Sequence, residues 1–292
     1  MTGTPMPGGV DLHSHTTASD GQLSPRELVG EAARRGVRVL AVTDHDSTEG
    51  LAEAMDEAAR HPPLTIVPGI EINCDVEGGE IHVLGYGMDA EAPWFRDFCR
   101  AQRVERRARV HRMAERLAAL GMPIDAKEVF DIVREGSAGR PHVAQVMVRR
   151  GYVKTVREAF DRFLGSGKPG HVPRRTLAPE DAVRLLRRAG GVPVFAHPGL
   201  ASRDELIPGL VAAGLMGIEC YYNEHSAGQT AGYLHLCAER GLLATGGSDF
   251  HGPRVRAGML GTPRVPLAVW DALKERMREA RATAPAFASA PS

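Results

Sequence analysis

Short apolar runs recur along the chain, with helical spacing between them. Residues 10–12 form the first run and residues 37–43 the second. Residues 64–67 continue into 70–72, and 80–86 read as a short strand leading out of the barrel that these strands would build. Beyond position 190 come 192–195, 217–220 and 242–245. Rich in β-branched residues and too short for helices, these segments read as strands. The intervals look helical. Ser24-Pro25-Arg26-Glu27 opens the first helix, with Ser24 as N-cap, Pro25 in the first turn and Glu27 at the capping-box position, and Gly36 ends it. Residues 47–60 read as a second helix capped by Ser47 or Thr48. Strands alternating with helices predict a parallel sheet.

Residues 90–177 break this rhythm. They hold no convincing strand. Residues 94–120 read as one long basic helix stopped by Gly121, followed by shorter helices at 125–134, 141–150 and 155–163. The chain therefore divides into an α/β unit at 1–89 and 178–282, a helical insertion at 90–177, and an Ala-, Pro- and Ser-rich tail at 283–292 that is expected to fray. There is no internal repeat.

Composition narrows the class. At 292 residues, 43% apolar and 25% charged, the chain has the makeup of a globular protein with a large core. No apolar run is long enough to span a bilayer, and none has the layout of a signal peptide. Cys74, Cys99, Cys220 and Cys237 lack metal-type spacing and read as free thiols of a cytoplasmic protein. Net charge is zero but unevenly placed: positions 96–175 carry nineteen Lys or Arg against nine Asp or Glu. That excess suits an anionic ligand such as nucleic acid, or, more plainly, an arginine-rich solvated helix.

The chemistry lies at the strand ends. His13, His15, Asp20, His45, Glu71, His82, His197, Asp249 and His251 each stand at or just after a predicted strand. One histidine after a strand is usually structural. Nine imidazoles and carboxylates at the same end of the strands read as one trinuclear site for up to three divalent ions, Mn or Fe favoured and Zn as a substitute, with no thiolate joining them. (β/α) barrels place their sites at this end of the strands. Three divalent ions, three carboxylates and one hydroxide leave about +2, which suits a phosphomonoester dianion, and metals make hydroxide available at neutral pH. Other residues carry two readings each. Asp44 and Asp46 flank His45 and either orient imidazoles or cap a helix. Ser14 either donates to a phosphate oxygen or faces the core. Arg140 is the candidate clamp for a second phosphate, against a surface arginine at a helix start. His142 shares that helix start, as a substrate contact or a structural residue. His225, in Tyr221-Tyr222-Asn223-Glu224-His225, is a candidate general acid or phosphate contact, against a histidine packed on the rim.

Four motifs in order carry a family resemblance: Asp11-Leu12-His13-Ser14-His15, Thr43-Asp44-His45-Asp46, Ala196-His197-Pro198-Gly199 and Ser248-Asp249-Phe250-His251. With Gly69-Ile70-Glu71-Ile72 and Ile81-His82-Val83-Leu84-Gly85-Tyr86, they resemble the polymerase-and-histidinol-phosphatase (PHP) family of metal-dependent phosphoesterases over nearly the full chain. The helical insertion and Gly139-Arg140-Pro141-His142 are similar to the subgroup of 3′,5′-nucleotide bisphosphate phosphatases and 5′→3′ exoribonucleases. Asp20 matches that subgroup, where relatives often carry histidine. The resemblance implies a distorted (β/α)7 barrel with the insertion over its C-terminal mouth. It also implies a partition of ligands: His13, His15, Glu71 and Asp249 for one ion, Glu71, His82 and His197 for a second, and Asp20, His45 and His251 for a third. Glu71, His82, His197 and Asp249 would then hold the attacking hydroxide through their ions.

The function implied is hydrolysis of a nucleotide phosphate. The expected substrates are the 3′-phosphate of 3′,5′-bisphosphonucleosides such as 3′,5′-bisphosphoadenosine, and short 5′-phosphorylated RNA degraded 5′→3′. Histidinol phosphate is the enzymatic alternative, but its cationic amine would gain little from a basic insertion. A non-catalytic metal- or nucleotide-binding module is the other alternative; the complete ligand set argues against it. The expected partners are a small nucleotide and short RNA, with no stable DNA complex, membrane or obligate protein partner.

Overall fold

In the computed structural model, residues 9–77, 79–133, 138–173, 177–253 and 259–284 are described. Strands β1 (Gly9–Asp11), β2 (Val37–Val42), β3 (Thr65–Val76), β4 (Gly79–Tyr86), β5 (Val192–Phe195), β6 (Gly217–Tyr222) and β7 (Leu243–Gly247) lie side by side in chain order in one sheet. Leu12 N donates to Gly246 O at 3.1 Å, and Ser14 bridges to Phe250. These contacts curl the sheet into a nearly closed seven-stranded barrel. Helices α1 (Pro25–Arg34) and α2 (Leu51–Ala58) follow the first two strands. Between β4 and β5 come α3 (Pro93–Ala119), α4 (Ala126–Val133), α5 (Arg140–Arg149) and α6 (Val156–Ala159), the last continuing into a π-helical turn at Phe160–Leu164. Then α7 (Pro179–Arg188) leads into β5, α8 (Pro198–Ala201) and α9 (Ile207–Ala213) precede β6, α10 (Ala227–Arg240) precedes β7, and α11 (Leu267–Thr283) ends the described chain.

The two-residue period of the strands sorts their side chains. Val39 and Ala41 of β2 join Val10, Leu12, Val67, Leu84, Tyr86 and Val194 in one buried cluster inside the barrel. The alternate residues Leu40 and Val42 face the helices with Leu28, Ile70, Ile81, Val83 and Leu186. That division is what a closed sheet requires of every strand. Inside, the Tyr86 hydroxyl donates to Leu12 O at 2.8 Å, satisfying the polar end of a fully buried ring. A second core gathers Val110, Met113 and Leu117 of α3 with Val129, Val143, Met147, Leu164 and Val172. Helix α3 spans both cores, since Phe95 near its start packs against the barrel layer.

The sheet departs from the parallel expectation at one strand. β4 runs antiparallel to both β3 and β5, pairing Asn73 with His82 and Val83 with Phe195. It forms part of the barrel wall and does not lead out of it. Alternation reports which face a residue takes and is blind to strand direction, so the pattern could not distinguish the two. The second helix also begins later than expected, at Leu51 with Gly50 as N-cap; Ser47 Oγ accepts from Glu49 N at 3.3 Å within a turn. The first helix has the expected capping box: Glu27 N donates to Ser24 Oγ at 3.2 Å, and Ser24 N donates to Glu27 Oε2 at 2.8 Å. Arg134, and the expected tail from position 285 onward, lie outside the described residues. No helix among the described residues is long and apolar enough to cross a membrane.

Candidate metal centre

All nine candidate ligands converge at one end of the barrel. His13 and His15 leave β1 and are fully buried. The chain beside them is held to the 248–251 segment: Asp249 N donates to His13 O, and His15 N donates to Phe250 O, both at 2.9 Å. This approach needs a glycine, because a Cβ at Gly247 would meet His13 N at 2.4 Å. His82 lies early in β4, yet Ala196 N donates to its carbonyl at 3.1 Å. Reversal of β4 therefore brings an early residue of that strand level with the end of β5 and with His197. Three non-glycine residues on this rim have left-handed backbone: Asp46 (φ 52°), His197 (φ 29°) and Asp249 (φ 52°). Such conformations cost about 1–3 kcal/mol each and persist where the surroundings fix them.

Glu71 is the hub. Its Oε2 lies 3.3 Å from His13 Nε2, 3.2 Å from His15 Nε2 and 3.0 Å from His45 Nδ1. Its Oε1 lies 2.8 Å from His82 Nδ1 and 3.2 Å from His197 Nε2. Asp249 Oδ1 lies 3.4 Å from His13 Nε2 and 3.2 Å from His15 Nε2. Asp20 approaches His251 Nε2 at 3.2 Å and His45 Nε2 at 3.8 Å. Three groups of atoms are close enough to share an ion each: His13, His15, Glu71 and Asp249; His15, Asp20, His45 and His251; and His45, Glu71 and His82. The first matches the implied partition. The second adds His15, and the third has His45 where the partition has His197.

The donor set fits metal ions. Among the described residues, His13 Nε2, His15 Nε2, Asp20 Oδ1, Glu71 Oε2, His82 Nε2 and His197 Nδ1 are buried without a hydrogen-bond partner. Buried polar atoms are rarely left so, and an ion satisfies several at once. Burial pushes the Glu71 carboxyl up, but the charges of His45, His13 and His82 hold it well below the usual range. Burial opposes charge on His15, yet the nearby carboxylates of Asp249 and Glu71 lift it to about 10. Burial likewise opposes the charge of Glu71 at His82, which rises to about 9. Burial prevails at His45, which falls to about 4. The carboxylates draw protons onto the imidazoles, and divalent ions can take the place of those protons.

Several supporting residues were not evident in the sequence. Glu219 Oε1 lies 3.0 Å from His13 Nδ1, and its Oε2 accepts from His197 N at 2.8 Å. Its signal was an acid inside the apolar run Gly217-Ile218-Glu219-Cys220. Tyr222 donates to Asp249 Oδ2 at 2.9 Å, and Asn73 Nδ2 lies 3.1 Å from His45 Nδ1. Asp44 accepts from Thr16 N at 2.8 Å, Thr16 Oγ1 at 2.7 Å and Ser19 Oγ at 2.6 Å, holding the loop that carries Asp20. Asp46 accepts from Asn73 N at 3.1 Å and from Arg106 Nη2 at 2.6 Å. Neither aspartate bonds an imidazole directly, and neither caps α2.

A cavity of about 190 Å³ opens over the hub, lined on the far side by Arg106, Arg140, Pro141 and Phe160. Arg140 reaches it, paired with Glu80. Three other substrate candidates do not. Ser14 is fully buried and donates to Ala41 O at 2.6 Å. His142 is buried, its Nδ1 accepting from Gly139 N at 3.2 Å at the start of α5. His225 has both ring nitrogens on main chain: Nδ1 lies 3.0 Å from Cys220 O, and Nε2 accepts from Gly199 N at 3.2 Å. Gly199 lies 26 positions away, so a rim histidine and a catalytic one look alike in the local sequence.

The chain is similar to proteins already known. The PHP domain matches residues 11–90. The chain is 34% identical to the 5′-3′ exoribonuclease Rnm of Escherichia coli, over 83% of this chain and 85% of that protein. It is 33% identical to the 3′,5′-nucleoside bisphosphate phosphatase of Chromobacterium violaceum, over 92% of this chain and 97% of that one. A crystal structure from Bifidobacterium adolescentis, of a protein inferred to be a metal-dependent phosphoesterase, superposes with a TM-score of 0.83 at 31% identity, covering 93% of this chain and 97% of its own.

Proposed function

The chain belongs to the PHP family and is a metal-dependent phosphoesterase, and from that premise we propose that it removes the 3′-phosphate of 3′,5′-bisphosphonucleosides and also shortens 5′-phosphorylated RNA from its 5′ end. The observation that carries this reading is Arg140. It is a guanidinium opposite the ligand cluster, in the same cavity, bound to Glu80 and to none of the nine ligands. A phosphate held by the cluster leaves Arg140 to hold another, two-pronged, with Glu80 displaced.

We assign up to three divalent ions to the nine residues, Mn or Fe favoured and Zn as a substitute, and divide the ligands as the family pattern implies. When bound, such ions supply Lewis acidity and lower the pKa of a water towards neutrality. The chain's own residues do the rest. Glu71 turns one oxygen to His13, His15 and His45 and the other to His82 and His197, which suits a bridge between two ions. Tyr222 and Glu219 fix the orientation of Asp249 and His13. We treat 90–177 as a roof over the mouth, with Arg140 and Phe160 as its inward face, and place the enzyme in a reducing cytoplasm. His225 is not assigned the leaving-group proton, because both its nitrogens are engaged.

Histidinol phosphate is not favoured, since its ammonium would face Arg140 and Arg106. A substrate panel tests the proposal: 3′,5′-bisphosphoadenosine, AMP, histidinol phosphate and a 5′-phosphorylated trinucleotide, with manganese added. The bisphosphate should show the highest kcat/KM and the trinucleotide should be shortened. Preference for histidinol phosphate, or no turnover of any member, overturns the reading.

A further inference from the structure

The arginine excess between positions 96 and 175 is largely committed within the fold. Arg106 binds Asp46, Arg109 donates to Val172 O at 2.6 Å, and Arg150 holds Glu128. Arg96, Arg100 and Arg103 are placed differently. They follow one another at i, i+4 and i+7 on α3 and therefore share one face of it. That face lines a cavity of about 260 Å³ closed on its other side by Ala18 and the Ser47-Thr48-Glu49 turn. Their acidic neighbours are themselves exposed: Glu91 lies 3.4 Å from Arg96, Asp97 3.0 Å from Arg100 and Glu49 2.5 Å from Arg103. Ion pairs so open to water are weak and yield readily to a stronger anion.

The row leads to the metal centre. One turn past Arg103, Arg106 lines the cavity over Glu71. Asp46, which binds Arg106, also lines the arginine cavity, so one ion pair forms the wall between the two. From Arg106 to Arg96 the helix covers about 15 Å, too far for any group of a mononucleotide held at the ligands. An anion with charges repeated along its length fits this spacing. Helix α3 descends here along the outside of the barrel, where Phe95 and Phe98 pack on its outer layer. Among the described residues no aromatic side chain lines the cavity, so the contacts would fall on phosphates and not on bases.

We propose that Arg96, Arg100 and Arg103 form a phosphate track for the 3′-ward continuation of a single-stranded RNA whose 5′ end lies in the metal centre. The proposal rests on the reading of RNA as a substrate. Binding along the track is independent of sequence and strongly dependent on salt.

The test compares the full-length, manganese-loaded protein with its R96A/R100A/R103A variant on 3′,5′-bisphosphoadenosine and on 5′-phosphorylated RNAs of two and six nucleotides. The hexanucleotide should lose about 10- to 100-fold in kcat/KM, while the dinucleotide and the bisphosphate change less than about twofold. Fluorescence anisotropy with a labelled hexanucleotide and EDTA-treated protein should show a salt slope shallower by about 2, the share of three phosphate contacts on a single strand. The single variant R100E should show the same length-selective loss, and it alters one exposed position only. An equal loss on all substrates, or no loss on the hexanucleotide, overturns the track. If the wild-type protein hydrolyses the bisphosphate and neither RNA, the RNA reading itself has failed, an outcome visible before any variant is made.

Discussion

Glu71 and Glu219 are both fully buried acids at the mouth, and they do different work. Glu71 faces five imidazoles directly, so Glu71→Gln removes a charge from the centre of the ligand set. His197→Ala removes one of the two imidazoles facing its Oε1. Each should lower kcat by roughly 10³-fold or more with manganese saturating, because both the attacking group and the charge that stabilises the transition state depend on them. Near-normal kcat in either variant contradicts the assigned roles. Glu219 touches no candidate ion position and acts through His13 and the His197 main chain. Glu219→Gln should weaken metal affinity about 10- to 100-fold, with much of kcat recovered at high manganese. A metal titration followed by activity reads this out; a kcat that no amount of metal restores would refute a positioning role. The nine candidate ligands were legible because imidazoles and carboxylates at successive strand ends are a chemical pattern. Glu219 was not, because its partner His13 lies 206 positions away.

Among the elements, β4 and the start of α5 carry the site's asymmetry. Strand β4 supplies His82 to the cluster and Glu80 to Arg140, so one strand joins the candidate ligands to helix α5. Arg140→Ala should reduce kcat/KM for 3′,5′-bisphosphoadenosine by about 10- to 100-fold, the loss of a charge-assisted contact worth about 1.5–3 kcal/mol. Hydrolysis of a small aryl phosphate should barely change, since it has no second phosphate. An equal loss on both substrates would place Arg140 at the scissile group or in the fold. The direction of β4 was beyond sequence reasoning for a physical reason: a two-residue period is the same read forwards or backwards. The start of α2 was missed because Asp44 and Asp46 hold its approach for the site, and that competition leaves no local mark.

At the scale of the molecule, the mouth concentrates buried carboxylates and imidazoles that only cations can neutralise without protons. Reconstituted protein should bind up to three ions per chain by elemental analysis; saturation at one would refute the trinuclear assignment. Stripping those ions should lower Tm by roughly 5 °C for each ion, the effect of losing about 2.7 kcal/mol per site held at a hundredfold above Kd. Differential scanning calorimetry with and without EDTA measures this, and an unchanged Tm would mean that the ions contribute nothing to the fold. The strands were legible from their spacing, whereas the closed barrel came only with the family resemblance, because closure depends on contacts between the ends of the sheet. Ser248 N donates at 2.9 Å to Asp11 Oδ1, from a residue 237 positions further along. That separation has a meaning in time. A ribosome delivers His13 and His15 more than 230 residues before Asp249 and His251. A nascent chain that stops short of Asp249 would therefore have no complete ion position of the proposed first or third kind to offer, however much metal surrounds it. On the proposed assignment, choice of metal would fall to the barrel once it has closed and to whatever the cell holds free at that moment.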